Sequence, residues 1–294
     1  MAAESHSQTR MIRCGDRSLV CDRPLVMGIL NVTPDSFSDG GRLYRGAADQ
    51  DAIRAAAVAM VAAGADILDI GGESTRPGAS PVAPEEELRR VLPALEALSD
   101  LDVCLSVDTR HAVVAAAAAE RGVHMLNDVT GFRDPAMLDV LAGTTLAACV
   151  MHMQGEPQSM QSNPEYVDVV AEVRDFLHGR VEALHRAGVA QDRLLLDPGI
   201  GFGKSFAHNM TLLCALERLR FGNLPLLVGV SRKRMIGAIT GRPVAERLIG
   251  SVVAAMAAAD RGADILRVHD VAESVDALRV RAAFSASNWN GIDQ

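Results

Sequence analysis

Seven polar clusters in this chain have the residue types for chemistry: NVTPDSFSDGG from Asn31, GGESTRPG from Gly71, SVDT from Ser106, NDV from Asn127, DPGIGFGK from Asp197, SRKR from Ser231 and RVHD from Arg267. They supply carboxylates at Asp108, Asp128 and Asp197, with Asp69 just ahead of the second in LDIGGES, an amide at Asn127, and cations at Arg76, Arg232, Lys233, Arg234 and Arg267 beside His269. A carboxylate accepts from paired N–H donors, and an Asn amide both donates and accepts. Asp108, Asn127 and Asp197 together therefore suit a flat heterocycle with an amino-amide edge, such as guanine or a pterin. Arg267 and His269 alternate along one apolar run and so point to one side, where they can stabilise an anionic leaving group. A strand-terminal Asp can equally cap the next helix, a reading that stays open for Asp128.

Two nucleotide motifs fail on DPGIGFGKS. Only three residues separate Gly199 from Gly203 and Lys204, where a P-loop needs four, and Lys204 stands where a dinucleotide fingerprint needs Gly. What remains is a strand-end Asp followed by a loop whose glycines permit close approach to a ligand. No HExxH spacing or Cys/His cluster suggests a tightly held zinc. A Mg²⁺ bridging substrate phosphates and one or two protein oxygens is compatible.

Each cluster follows an apolar, β-branched run. Candidate strands are Leu25 to Val32, Asp66 to Ile70, Val103 to Asp108, His124 to Val129, Leu146 to Met153, Leu194 to Asp197, Leu226 to Ser231 and Asp264 to His269. Helical spacing lies between them, over Asp49 to Ala63, Pro84 to Leu98, His111 to Glu120 and Val244 to Asp260. An echo, GADILDI from Gly64 and GADILRV from Gly262, follows an Ala-rich helix each time, and its Gly reads as the left-handed helix end. Eight such units fit an α/β fold of one kind, a single (β/α)8 TIM barrel of roughly 250 residues, whose strand ends open on one face. A doubly wound open sheet offers no reason for eight evenly spaced units. Met11 to Arg23 reads as a short N-terminal β-hairpin that plugs the barrel's bottom. The expected organisation is a disordered tail over 1–10, a barrel over 11–285 and a C-terminal tail over 286–294.

Of 294 residues, 49% are hydrophobic but only 3% aromatic, which leaves few stacking platforms for nucleic acid. The net charge of −8 argues against sequence-independent attraction to nucleic acid or anionic membranes. Five cysteines without CxxC spacing read as free thiols in a reducing cytoplasm. No signal peptide or membrane span is expected.

The clusters, with MHMQG from Met151, occur in the order found in dihydropteroate synthases, and the chain closely resembles that family over roughly residues 11 to 285. The resemblance implies a transferase that joins 6-hydroxymethyl-7,8-dihydropterin pyrophosphate to p-aminobenzoate, releasing pyrophosphate and 7,8-dihydropteroate. It implies a pterin set of Asp108, Asn127, Asp197 and Lys233, pyrophosphate anchors at Arg267 and His269, and a magnesium-associated Asn31. Thr75, Arg76 and Pro77 match the closing loop, and Phe202, Ser231 and Lys233 the surroundings of p-aminobenzoate. Mg²⁺, a homodimer and a cytoplasmic location follow from the same likeness. Competing expectations are a corrinoid methyltransferase pterin module, which needs no pyrophosphate site, a silent pterin-binding paralogue and an aldolase-like barrel. The RVHD and SRK clusters argue against the first, and the intact NVTPDSFSDGG, STRPG and RVHD clusters against the second. The loop position of Lys233 among Arg neighbours argues against the third.

Overall fold

The computed structural model describes residues 9–34, 43–44, 47–74, 79–156 and 160–285. Thr75, Arg76 and Pro77, and most of the cluster that begins at Asn31, lie outside the described residues. A hairpin of β1 (Arg10–Cys14) and β2 (Arg17–Cys21) precedes eight parallel strands: β3 (Leu25–Asn31), β4 (Ile67–Gly71), β5 (Cys104–Asp108), β6 (Met125–Asp128), β7 (Ala147–Met151), β8 (Leu194–Asp197), β9 (Leu227–Val228) and β10 (Ile265–Val268). Among the described residues nine helices accompany them: α1 (Gln50–Ala63), α2 (Pro84–Leu98), α3 (Ala112–Ala119), α4 (Pro135–Ala142), α5 (Val169–Arg186), α6 (Phe206–Cys214), α7 (Arg234–Thr240), α8 (Leu248–Asp260) and α9 (Val271–Ser285). The strand order is β8-β7-β6-β5-β4-β3-β10-β9, and a parallel bridge between Leu196 and Leu226 brings the two ends together as a TIM barrel.

Strand alternation divides the barrel into an apolar lower interior and a polar mouth. Leu25, Met27, Ile67, Cys104, Met125, Ala147, Cys149, Leu195, Leu227 and Ile265 fill the lower layers. Stepping up by two residues on each strand reaches Asn31, Asp69, Ser106, Asp108, Asn127, Asp197 and Arg267 on the same interior face. Ile12 and Cys14 of the hairpin are fully buried in the lower cluster and plug it as expected. β1 starts at Arg10, inside the segment read as a tail, and that guanidinium pairs with Asp264 at 2.9 Å.

The two GADIL copies do equivalent work. Gly64 and Gly262 have φ of 103° and 93°, the left-handed turn that releases each helix into its strand. Asp66 accepts from the Val26 N–H and Asp264 from the Leu226 N–H, each at 2.8 Å, pinning the strand start beside it.

Three expectations change. The run Val244 to Asp260 is not one helix: a 3-10 turn at Val244–Glu246 precedes α8, and Arg247 between them reaches back to the Arg242 and Arg232 carbonyls. The seventh barrel strand keeps ladder pairing only at Leu227–Val228, after which the chain swings so that Ser231 Oγ meets His269 Nδ1 at 3.0 Å. Asp128 caps no helix: it accepts from the Thr130 and Phe132 N–H groups and shapes the turn before α4, whose cap is Asp134.

Candidate active site

The polar mouth opens into a cavity of about 760 Å³ whose lining includes Asn31, Asp108, Phe202, Ser231, Lys233, Arg267 and His269. At its floor, Asp69 is fully buried and holds three partners. Its Oδ1 accepts from Ser106 Oγ at 2.6 Å, and its Oδ2 from Asn127 Nδ2 at 3.1 Å and Arg267 Nε at 2.7 Å. Arg267 Nη2 donates to Asp108 Oδ2 at 2.9 Å. Burial opposes the Arg267 charge, but Asp69 and Asp108 outweigh it and raise its pKa.

Asp108 and Asn127 are register partners on β5 and β6. Their remaining oxygens, Asp108 Oδ1 and Asn127 Oδ1, are buried without a hydrogen-bond partner among the described residues. Two adjacent buried acceptors are costly unless a ligand donates to them. Because the Asn127 amide nitrogen already donates to Asp69, the free edge of this side chain is its acceptor. Burial raises the pKa of Asp108 against the pull of Arg267. Asp197, at the end of β8, is raised by burial too, although Lys233 and the Gly199 N–H at 2.7 Å favour its ionised form.

Lys233 caps the start of α7, and its ammonium donates to the Ile200 carbonyl and lies 4.6 Å from the centre of the Phe202 ring. Burial pushes its pKa down to about 8. Arg232 lines the cavity but is paired with Asp270. Arg234 is exposed at the rim.

The described members of the expected set therefore converge: Asn31, Asp108, Asn127, Asp197 and Arg267 come from β3, β5, β6, β8 and β10, and Phe202, Ser231, Lys233 and His269 from the loops after β8, β9 and β10. Sequence reasoning named Asp69 as a strand-end carboxylate but left it out of the expected site set, although it is the carboxylate that ties Arg267 to Asn127. Its signal was the alternation Ile67, Asp69, Gly71, which puts it on the interior face. It also left out Lys204, only 2% exposed, whose ammonium bonds inside the glycine loop rather than to a ligand. Among the described residues no cluster of three His, Cys, Asp or Glu side chains could hold a metal by itself.

The family model described as pterin binding enzyme matches residues 27–269. Dihydropteroate synthase of Escherichia coli (strain K12) is 48% identical over 274 residues, an alignment that covers 93% of this chain and 96% of that one. The crystal structure of the Yersinia pestis dihydropteroate synthase with a sulfonamide drug complex superposes with a TM-score of 0.89 at 48% identity, covering 94% of this chain and all of that chain. Burkholderia cenocepacia dihydropteroate synthase complexed with 7,8-dihydropteroate gives 0.85 at 48% identity, over 95% of this chain and 98% of that one. With a family match that spans most of the barrel and near-complete coverage of such relatives, the chain belongs to the pterin-binding enzyme family, among its dihydropteroate synthases.

Proposed function

We infer that this chain is a transferase that condenses 6-hydroxymethyl-7,8-dihydropterin pyrophosphate with p-aminobenzoate, giving 7,8-dihydropteroate and pyrophosphate. The observation that carries this reading is the pair of buried, unpartnered acceptors on Asp108 and Asn127, set beside Asp197 under a wall of Arg267, Ser231 and His269. Acceptors on the floor suit the N–H groups of a dihydropterin. Cations nearer the mouth suit its diphosphate.

In this reading Asp108, Asn127 and Asp197 hold the pterin with its methylene carbon toward the mouth. Arg267 and His269 draw off the departing pyrophosphate, and the carbon–oxygen bond breaks as the ring delocalises positive charge. Arg267 meets that anion through Nη1, since Nε and Nη2 already bind Asp69 and Asp108. The ionised forms of Asp108 and Asp197 favour the cation, more so where water is excluded. The aniline nitrogen of p-aminobenzoate, placed by Phe202, Ser231 and Lys233, attacks the carbon and then loses a proton.

Asn31 lines the cavity and offers an amide oxygen, and among the described residues no group of three His, Cys, Asp or Glu side chains could hold a metal. That donor set fits Mg²⁺, which keeps several waters and takes most of its remaining ligands from substrate phosphates. When bound it would neutralise charge on the diphosphate.

The α7–α9 face carries exposed Ile239, Ile249, Val253, Val280 and Phe284, while Ser251, Ala255, Ala258 and Ala259 of α8 pack inward. This apolar face supports a homodimer. A cytoplasmic location accords with the free thiols, three of them buried in the barrel's lower interior, and no helix among the described residues is long and apolar enough to cross a membrane.

The test is magnesium-dependent pyrophosphate release from the pterin substrate, with and without p-aminobenzoate, and with Arg267→Ala. Dihydropteroate formation that collapses in the variant is expected. Pterin binding without product would leave a binding paralogue instead.

A further inference from the structure

The loop from Gly199 to Gly203 contributes Gly201 and Phe202 to the cavity lining, and each of its five carbonyls accepts a hydrogen bond from a side chain. Lys204 Nζ takes Gly199 O and Phe202 O, both at 2.9 Å. Lys233 takes Ile200 O, Gln161 takes Gly201 O at 2.6 Å, and Tyr166 takes Gly203 O at 2.7 Å. A loop rich in glycine has high conformational entropy when free, so five external restraints indicate that its shape matters.

Lys204 is the centre of this arrangement. Lys204 Nζ lies within about 3 Å of three acceptors, Gly199 O, Phe202 O and, at 2.8 Å, His152 Nδ1, a set that matches the three donors of an ammonium; burial pushes its pKa well below the usual lysine value, and Asp197 opposes that shift. Burial and the adjacent Lys204 push the His152 pKa down to about 2, so the imidazole is neutral and can accept. Its ring is packed edge-on against Phe176, with centroids 4.9 Å apart. Lys204 lines the same cavity, and its three near partners belong to the loop and to His152 rather than to Asp108, Asn127 or Arg267.

We propose that Lys204, seated on His152, is a positioning residue that holds the Gly199–Gly203 loop so that Phe202 forms the p-aminobenzoate wall. Asp197 is secured separately, because its carbonyl accepts from the His152 N–H at 3.0 Å within the strand ladder and its side chain binds the Gly199 N–H. Loss of the Lys204 bonds therefore frees Phe202 more than Asp197. This separates the binding of the second substrate from that of the first.

The inference rests on the synthase reading given above, and the experiment separates the two. Steady-state constants for both substrates are measured for the parent protein, Lys204→Met and Lys204→Gln, together with hydrogen exchange at the Gly201 and Phe202 amides and thermal melts. For Lys204→Met, the KM for p-aminobenzoate should rise about tenfold or more while the KM for the pterin substrate stays within about threefold. The two amides should exchange faster. Lys204→Gln, which keeps N–H donors, should recover part of the p-aminobenzoate KM. Equal rises in both KM values, or a fall in kcat alone that tracks the folded fraction, would overturn the proposal. If the parent protein makes no dihydropteroate, the synthase reading fails; unchanged amide exchange in Lys204→Met would then reject the loop restraint on its own.

Discussion

Asp69 and Arg267 lie 198 residues apart in sequence and 2.7 Å apart in the barrel, each directly after a copy of the pentapeptide GADIL. The two copies build β4 and β10, which flank β3 on either side. One repeat thus ends in an acid and the other in a base at the same height of the barrel. The pair also orients the amide of Asn127. Removing Asp69 would leave Arg267 with Asp108 alone and Asn127 without its orienting acceptor. Asp69→Ala should lower unfolding free energy by about 3–5 kcal/mol, the range for breaking one side of a buried ion pair. It should also weaken pterin binding. Urea unfolding and calorimetric titration with the pterin would check both, and wild-type stability in the variant would show that the pair is not structural.

The pH profile follows from burial. Asp108 and Asp197 are both raised by burial, and Arg267, Lys233 and Lys204 oppose the shift at Asp197. A proton on either carboxyl removes an acceptor, so kcat/KM for the pterin substrate should fall on the acid side at a pH above the ordinary aspartate value of about 4. On the alkaline side it should fall near pH 8, where Lys233 loses its proton. Lys233→Arg should push the alkaline limb upward if Lys233 is its source.

Stability carries the opposite sign from the usual surface carboxylate. A carboxyl whose pKa is raised on folding binds its proton more tightly when folded. Its stabilisation is therefore fully present below the unfolded pKa and lost as pH rises through the folded one. Thermal melts of substrate-free protein should show the contribution of Asp197 declining from about pH 4 upward. Asp197→Asn should flatten that decline. Glu73 acts the other way: burial raises it, but Arg110 and the Val82 N–H outweigh burial, so its contribution is lost as pH falls.

Much of this site is legible because strand alternation and barrel closure are regular. The ends of all the parallel strands of a closed barrel open on one face, which is how the strand-end residues Asp108, Asn127, Asp197 and Arg267 could be grouped from sequence. The partner of Arg267 was harder to see. It depends on which strands meet across β3, and only closure of the barrel settles that. Lys204 was harder still, because its partners are backbone carbonyls and backbone carries no residue signature. The split before α8 depends on Arg247 reaching the carbonyls of a preceding loop, a contact that helical periodicity does not register.

Two left-handed glycines separate backbone strain from steric contact. Gly199 has φ of 64°, and a Cβ there would lie 1.8 Å from the His152 carbonyl oxygen. Gly122 has φ of 74° with nothing within 4 Å of the same position. Gly122→Ala should cost only the left-handed penalty of about 1–2 kcal/mol. Gly199→Ala should cost clearly more, and should raise the KM for p-aminobenzoate, because the loop must move off His152. Equal unfolding midpoints for the two variants would refute this account.

The α8 helix reconciles two roles that its alanine content alone could not separate. Its small residues face the barrel, where Ala255 and Ala258 are buried, and its branched residues face out, with Ile249 at 77% and Val253 at 63% exposure. A single-chain protein gains nothing from Ile249 in water, whereas a symmetric pair of chains would bury it twice. Ile249→Asp should then convert a dimer into a monomer in sedimentation experiments. Each barrel keeps its own Asp69, Asp108, Asn127 and Arg267, so the separated chains should still bind pterin. A protein that sediments as a monomer before the substitution would remove the case for the dimer and leave this face to be explained otherwise.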